Sequence, residues 1–167
     1  LVYSGFIGGS TWDAASGIAV DGSGSAYISG STDSTEASFP ETGGPDLSYN
    51  GGYADGFVAR VNPAGTALLF CTYLGGSGDD YGNAIAVNGQ GAAFVVGTTT
   101  STAASFPETV GPDLTHNGPG SNDAFVAKFD ASGAMVYSTF VGGGQDDSAA
   151  DVAVDANGAA VVCGLTH

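Results

Sequence analysis

An all-β chain assembled from repeated four-stranded units is what the sequence predicts, and three observations carry the prediction. One residue pattern returns every 67 positions, four short extended runs bounded by turn residues fill each period, and no window sustains a helical periodicity. The clearest block, Leu1-Val-Tyr-Ser-Gly-Phe-Ile-Gly-Gly-Ser10, reappears as Leu68-Leu-Phe-Cys-Thr-Tyr-Leu-Gly-Gly-Ser77 and as Met135-Val-Tyr-Ser-Thr-Phe-Val-Gly-Gly-Gly144. Ile18-Ala-Val-Asp21, Ile85-Ala-Val-Asn88 and Val152-Ala-Val-Asp155 follow the same spacing, as do Ser38-Phe-Pro-Glu-Thr42 and Ser105-Phe-Pro-Glu-Thr109.

The first run of a period is Asn83 to Val87, almost wholly apolar, as a strand covered on both faces should be. Asn88-Gly-Gln-Gly91 then supplies a tight turn, matched by Asp21-Gly-Ser-Gly24 and Asp155-Ala-Asn-Gly158. Ala92 to Thr98 is the second run. A long Ser/Thr/Pro/Gly connection leads to the third, Ala124 to Phe129, and Ala131-Ser-Gly133 turns into the fourth, Met135 to Val141. Four antiparallel strands repeated head to tail describe a β-propeller blade; a β-solenoid is the competing architecture, but its repeat is usually shorter and lacks this meander. The expected organisation is an outer strand of a preceding blade over 1–10, blades over 11–77 and 78–144, and the inner half of a third blade over 145–167. Propellers close with roughly 4–8 blades. The expectation is therefore a segment or processed product of a longer chain, or subunits joined end to end as a ring or filament.

Tyr73-Leu-Gly-Gly-Ser-Gly-Asp-Asp-Tyr-Gly-Asn-Ala-Ile-Ala-Val87, the Phe-Pro loop and Asp123-Ala-Phe-Val-Ala-Lys128 with its following turn resemble the SBBP-type bacterial β-propeller repeat family. The resemblance spans essentially the whole chain. Trp12 departs from it where the other copies carry Asp79 and Asp146, and Gly56 stands in place of Ala124. It implies the propeller architecture and a secreted or surface location in bacteria, and no shared catalytic activity.

Composition narrows the function classes. With 17 acidic and 2 basic side chains the formal charge is −15, and 43% of residues are hydrophobic, ample to bury a core. Two cations cannot neutralise a phosphate backbone, which excludes nucleic acid as a partner. No apolar run approaches the ~20 residues of a membrane helix, so membrane insertion is not expected. Cys71 and Cys163 fit neither a disulfide framework nor a metal spacing, and their repeat equivalents are packing positions, so buried thiols are expected.

Among polar residues, Asp13, Asp80 and Asp147 hold one repeat position, with Asp79 and Asp146 beside two of them. A ring of such carboxylates suits a hard cation such as Ca²⁺; alternatively each side chain accepts backbone N–H bonds and holds the adjacent Gly-Gly turn. The chain lacks the D-x-[DN]-x-[DN]-G pattern of a calcium loop, and no other cofactor is suggested. Arg60 and Lys128, the two basic residues, share one slot of the third strand, which points to a structural ion pair with an acid of the same or an adjacent blade. In the long connections Phe39 and Phe106 are read as anchors, whereas Tyr49, Tyr53 and His116 vary at the tips, as an interaction surface would. No nucleophile elbow, dinucleotide loop or zinc-protease motif occurs.

These readings converge on a non-catalytic extracellular or cell-surface module that acts as a scaffold or self-assembling unit. The rival is an adhesion module whose loop face takes a glycan or a protein, with or without calcium.

Overall fold

The computed structural model describes residues 3–107, 109–118 and 120–167, so Leu1 and Val2 of the opening repeat block and Glu108 of the second Phe-Pro loop lie outside the described residues. Ten strands run in chain order: β1 (Asp13–Val20), β2 (Ala26–Thr32), β3 (Asp55–Val61), β4 (Leu68–Leu74), β5 (Asp80–Val87), β6 (Ala93–Thr99), β7 (Asp123–Phe129), β8 (Met135–Val141), β9 (Ser148–Val154) and β10 (Ala160–Leu165). There is no helix among the described residues, and hence none long and apolar enough to cross a membrane.

The strands form three antiparallel sheets: β1-β2-β3-β4, β5-β6-β7-β8, and the pair β9-β10. The sequence period reappears as geometry down to single residues. Each sheet skips one residue of its first strand, at Ser16, Asn83 and Ala150, and the two larger sheets skip Leu69 and Val136 in their fourth strands. Such a bulge bends the strand and sharpens its twist. Gly24, Gly91 and Gly158 close the first hairpins at φ of 88°, 78° and 84°, a region a side chain rarely adopts. Asp21, Asn88 and Asp155 open the same turns by accepting backbone N–H bonds from two and four residues ahead.

Apolar side chains alternate across each strand, so every sheet has a leading face toward the earlier sequence and a trailing face toward the later. Tyr27, Val58, Phe70 and Leu74 on the trailing face of the first sheet pack against Ile85, Val95, Phe125 and Ala127 of the second. The other side of the second sheet, with Ala84, Phe94, Val96 and Val126, meets Ala149 and Val152 of the third. A smaller cluster of Phe39, Phe57, Cys71 and Tyr73 lies on the leading side of the first sheet, joined by Ile7 and Ile28. The sheets therefore stack in chain order, and among the described residues only the second is covered on both faces by other sheets.

Residues 3–9 form no strand, and no strand pairs with them among the described residues. Tyr3 nevertheless sits over the β3–β4 turn, where a Cβ added to Gly65 would lie 2.0 Å from its ring, much as one on Gly133 would lie 2.6 Å from Phe70. Cys71 is buried as a free thiol, but Cys163 is exposed, which corrects the expectation for it: it lies on the face of β10 that no sheet covers among the described residues.

Candidate functional site

The polar residues singled out by the repeat fall into a set of turn locks, a cationic slot and two long connections. Asp80 begins β5 fully buried, and its Oδ2 accepts the Gly76 N–H at 2.7 Å and the Ser101 hydroxyl at 2.8 Å while Oδ1 accepts the Thr99 hydroxyl. Asp13 does the same with Gly9, Ser34 and Thr32, and Asp147 takes the Gly143 N–H at 2.6 Å. Each carboxylate closes the Gly-Gly turn that leads into its sheet. Burial raises the Asp80 carboxyl to about 6 against the opposing pull of these donors. Accepted hydrogen bonds, the Gly143 N–H first, lower Asp147.

Asp79 and Asp146 face the other way along the extended chain. Asp79 Oδ1 accepts the Tyr53 N–H at 2.6 Å, and Asp146 Oδ1 accepts the Asn122 N–H at 2.9 Å, so both tie the end of a long connection to the next sheet. The five carboxylates considered for a hard cation thus do not converge. No group of three or more potential metal-ligating side chains is assembled among the described residues. The physical reason is the alternation of an extended chain, which sends adjacent side chains to opposite faces.

Arg60 and Lys128 occupy equivalent places yet have different partners. The Arg60 Nη2 lies 2.9 Å from Asp21 Oδ2, its Nη1 donates to the Ala131 carbonyl at 2.7 Å, and its Cζ sits 5.0 Å from the Tyr27 ring centroid. One side chain therefore joins the first hairpin of its own sheet to the last turn of the next. Lys128 has no carboxylate within ion-pair distance among the described residues, contrary to the pairing expected for it; its Nζ lies 4.9 Å from the Phe94 ring centroid. Asn88 stands where the first sheet has Asp21, and this single difference removes the anionic partner.

The long connections are held by Phe39 and Phe106, each 3% exposed. Phe106 packs 5.1 Å from Phe125 and 5.4 Å from Phe140, centroid to centroid. Tyr49 stands edge-on to Tyr73 and donates its hydroxyl to the Gly52 carbonyl, and His116 stands edge-on to Phe140 at the matching place. Of the three tip residues only Tyr53 offers a broadly exposed ring. A groove of about 620 Å³ separates the two connections, lined by Pro45, Asp46, Pro107, Thr109 and the turn 132–135.

Two further acids emerge only in three dimensions. Asp55 and Asp123, first residues of β3 and β7, are fully buried; one oxygen of each accepts the Asn50 or Asn117 N–H, and the other has no hydrogen-bond partner among the described residues. Burial pushes Asp55 up to about 8. Burial also raises Asp123, while the Asn117 N–H and, after it, His116, whose Nε2 lies 4.0 Å from its Oδ1, draw it back down. The signal available in the sequence was the return of Asp ahead of each Phe-Val-Ala block.

No protein-family model matches the chain, and a search of curated proteins finds none significantly similar to it.

Proposed function

We propose that this chain is a run of β-propeller blades of the SBBP type, serving as a non-catalytic extracellular scaffold that stacks with further copies of the same unit. One observation carries the reading: equivalent residues are buried between sheets and exposed at the ends. Ile85 is 7% exposed but Ile18 is 71%, and Phe94 is 1% exposed but Val161 is 62%. Apolar positions built for a neighbour favour association when they lack one. The polar residues support the same reading, since their hydrogen bonds serve turns, loop ends and sheet-to-sheet ties.

Sedimentation velocity over a micromolar concentration series tests the proposal, with electron microscopy of any assembled fraction. Concentration-dependent association into a ring or filament is expected, and a non-associating, cooperatively unfolding monomer would overturn it. The exposed Tyr53 ring and the groove beside Pro45 and Pro107 favour a second reading, an adhesive surface for glycan or protein. A glycan array with a calcium titration separates the two.

A further inference from the structure

We infer that His116 is a proton-holding latch: beside the buried Asp123, it keeps the junction of the second and third sheets firm over the mildly acidic range in which the matching junction of the first and second weakens. The two junctions are built alike. Tyr49 and His116 hold one place in the long connections, edge-on to Tyr73 and Phe140 at 6.2 and 5.7 Å between centroids. Asp55 and Asp123 hold another, fully buried, each with one carboxyl oxygen that makes no hydrogen bond among the described residues. Next to each acid a backbone bond fastens its sheet to the following one. The Asp80 N–H donates to the Ala54 carbonyl at 2.8 Å, and the Asp147 N–H to the Asn122 carbonyl at 2.7 Å.

The two connections differ in what they offer the free oxygen. The Tyr49 hydroxyl is committed to the Gly52 carbonyl at 3.0 Å. The His116 Nε2 has no hydrogen bond among the described residues, belongs to a side chain only 4% exposed, and lies 4.0 Å from Asp123 Oδ1, within ion-pair reach. The other charged groups acting on these acids are acids themselves: Asp46 and Asp80 on Asp55, Asp113 and Asp147 on Asp123. Asp113 is held by the Asn117 side-chain amide and Asp147 by the Gly143 N–H. The second histidine, His167, meets the Asp146 carbonyl instead. Among the described residues, His116 is therefore the one group beside either acid that can carry a positive charge.

Proton balance shows what the histidine changes. In the unfolded chain an aspartate releases its proton near about pH 4 and a histidine near about pH 6.5. Folded Asp55 keeps its proton up to about 8, because burial disfavours the anion. From about pH 4 to about pH 6.5 the first junction therefore holds a proton that the unfolded chain has lost, and its stability declines as pH rises. Burial raises Asp123 as well, and the folded Asp123–His116 pair holds one proton between its two members. Over the same range the unfolded chain keeps one proton too, on the histidine. Folded and unfolded states then bind equally many protons, so the second junction stays level to about pH 6.5 and weakens only above it.

The latch acts within a single chain and does not depend on the scaffold reading. The test is amide hydrogen exchange of the 167-residue chain, followed by NMR as protection factors of the Asp80 and Asp147 N–H groups from about pH 4.5 to about pH 6.5. Protection at Asp80 should fall as pH rises, by at most about tenfold per pH unit, the limit for one proton. Protection at Asp147 should stay level. His116→Tyr, which gives the second connection the residue of the first, should make the Asp147 amide decline as Asp80 does. His116→Gln, which removes the titrating ring by a different route, should do the same. Tyr49→His should level the Asp80 profile. Adding Asp123→Asn to His116→Tyr should restore the level profile at Asp147, which ties the effect to one acid. Equal slopes at the two amides of the native chain, or an Asp147 profile unmoved by both His116 variants, would overturn the inference.

Discussion

Asp55 imposes a pH dependence on stability by itself. Its carboxyl is held at about 8 when folded, against an ordinary value of 3.8, because burial disfavours the anion. The folded state therefore retains a proton that the unfolded chain releases. Stability contributed this way is complete below about pH 4, declines as pH rises toward about 8, and is flat beyond. Asp55→Asn keeps the shape and an acceptor for the Asn50 N–H, so the variant should melt higher than the native chain at pH 8 and show little difference at pH 4. Thermal melts at the two pH values check this. The cationic slot supplies a second contrast. Arg60→Ala removes a charge-assisted bond to Asp21 and should cost about 1.5–3 kcal/mol. Lys128→Ala removes an aromatic contact worth about 0.5–1 kcal/mol. Urea unfolding of both variants would show the order, and equal losses would contradict the assignment of partners.

At the scale of elements, the long connections are fastened more firmly than their composition suggests. The Thr98–Asp123 connection reads as turn-rich loop, yet Phe106 is wedged between Phe125 and Phe140, and the Asp113 carbonyl accepts the Phe140 N–H at 3.0 Å. Phe106→Ala should therefore destabilise by about 3–5 kcal/mol, the range for deleting a buried ring. A loss below about 1 kcal/mol, within the range of surface changes, would mean the loop is not part of the core. Strand boundaries were legible in the sequence to within a few residues, because turn residues and β-branched runs alternate cleanly. The expected fourth run, Met135 to Val141, is the observed β8, whereas β5 begins at Asp80 rather than Asn83. The bond Asp80 N–H to the Ala54 carbonyl, made across sheets at 2.8 Å, lies beside that earlier start. No local signal announces a contact of that kind.

For the whole molecule, burial depends on stacking order and not on residue type. Ile85→Asp places a charge between the first and second sheets with no partner, and should leave the chain unfolded or prone to aggregation. Ile18→Asp makes the identical change at the identical repeat position, but on an uncovered face. It should preserve the fold by circular dichroism while weakening any association detected by sedimentation. Severe unfolding by both substitutions would mean that the leading face is covered within the single chain.

The repeat period, the all-β character and the four runs of each unit follow from local pattern alone, since alternation and turn chemistry act over a few residues. Side-chain roles divided differently. The turn-holding alternative for Asp13 and Asp80 was open in the sequence, because a hydrogen bond four residues back is short-range. The loss of an ionic partner at Lys128, the buried carboxyls of Asp55 and Asp123, and the exposure of Cys163 were decided only by the tertiary arrangement. Each depends on what a neighbouring sheet brings to within a few ångströms, and a repeat makes equivalent residues alike in sequence while their neighbours remain different.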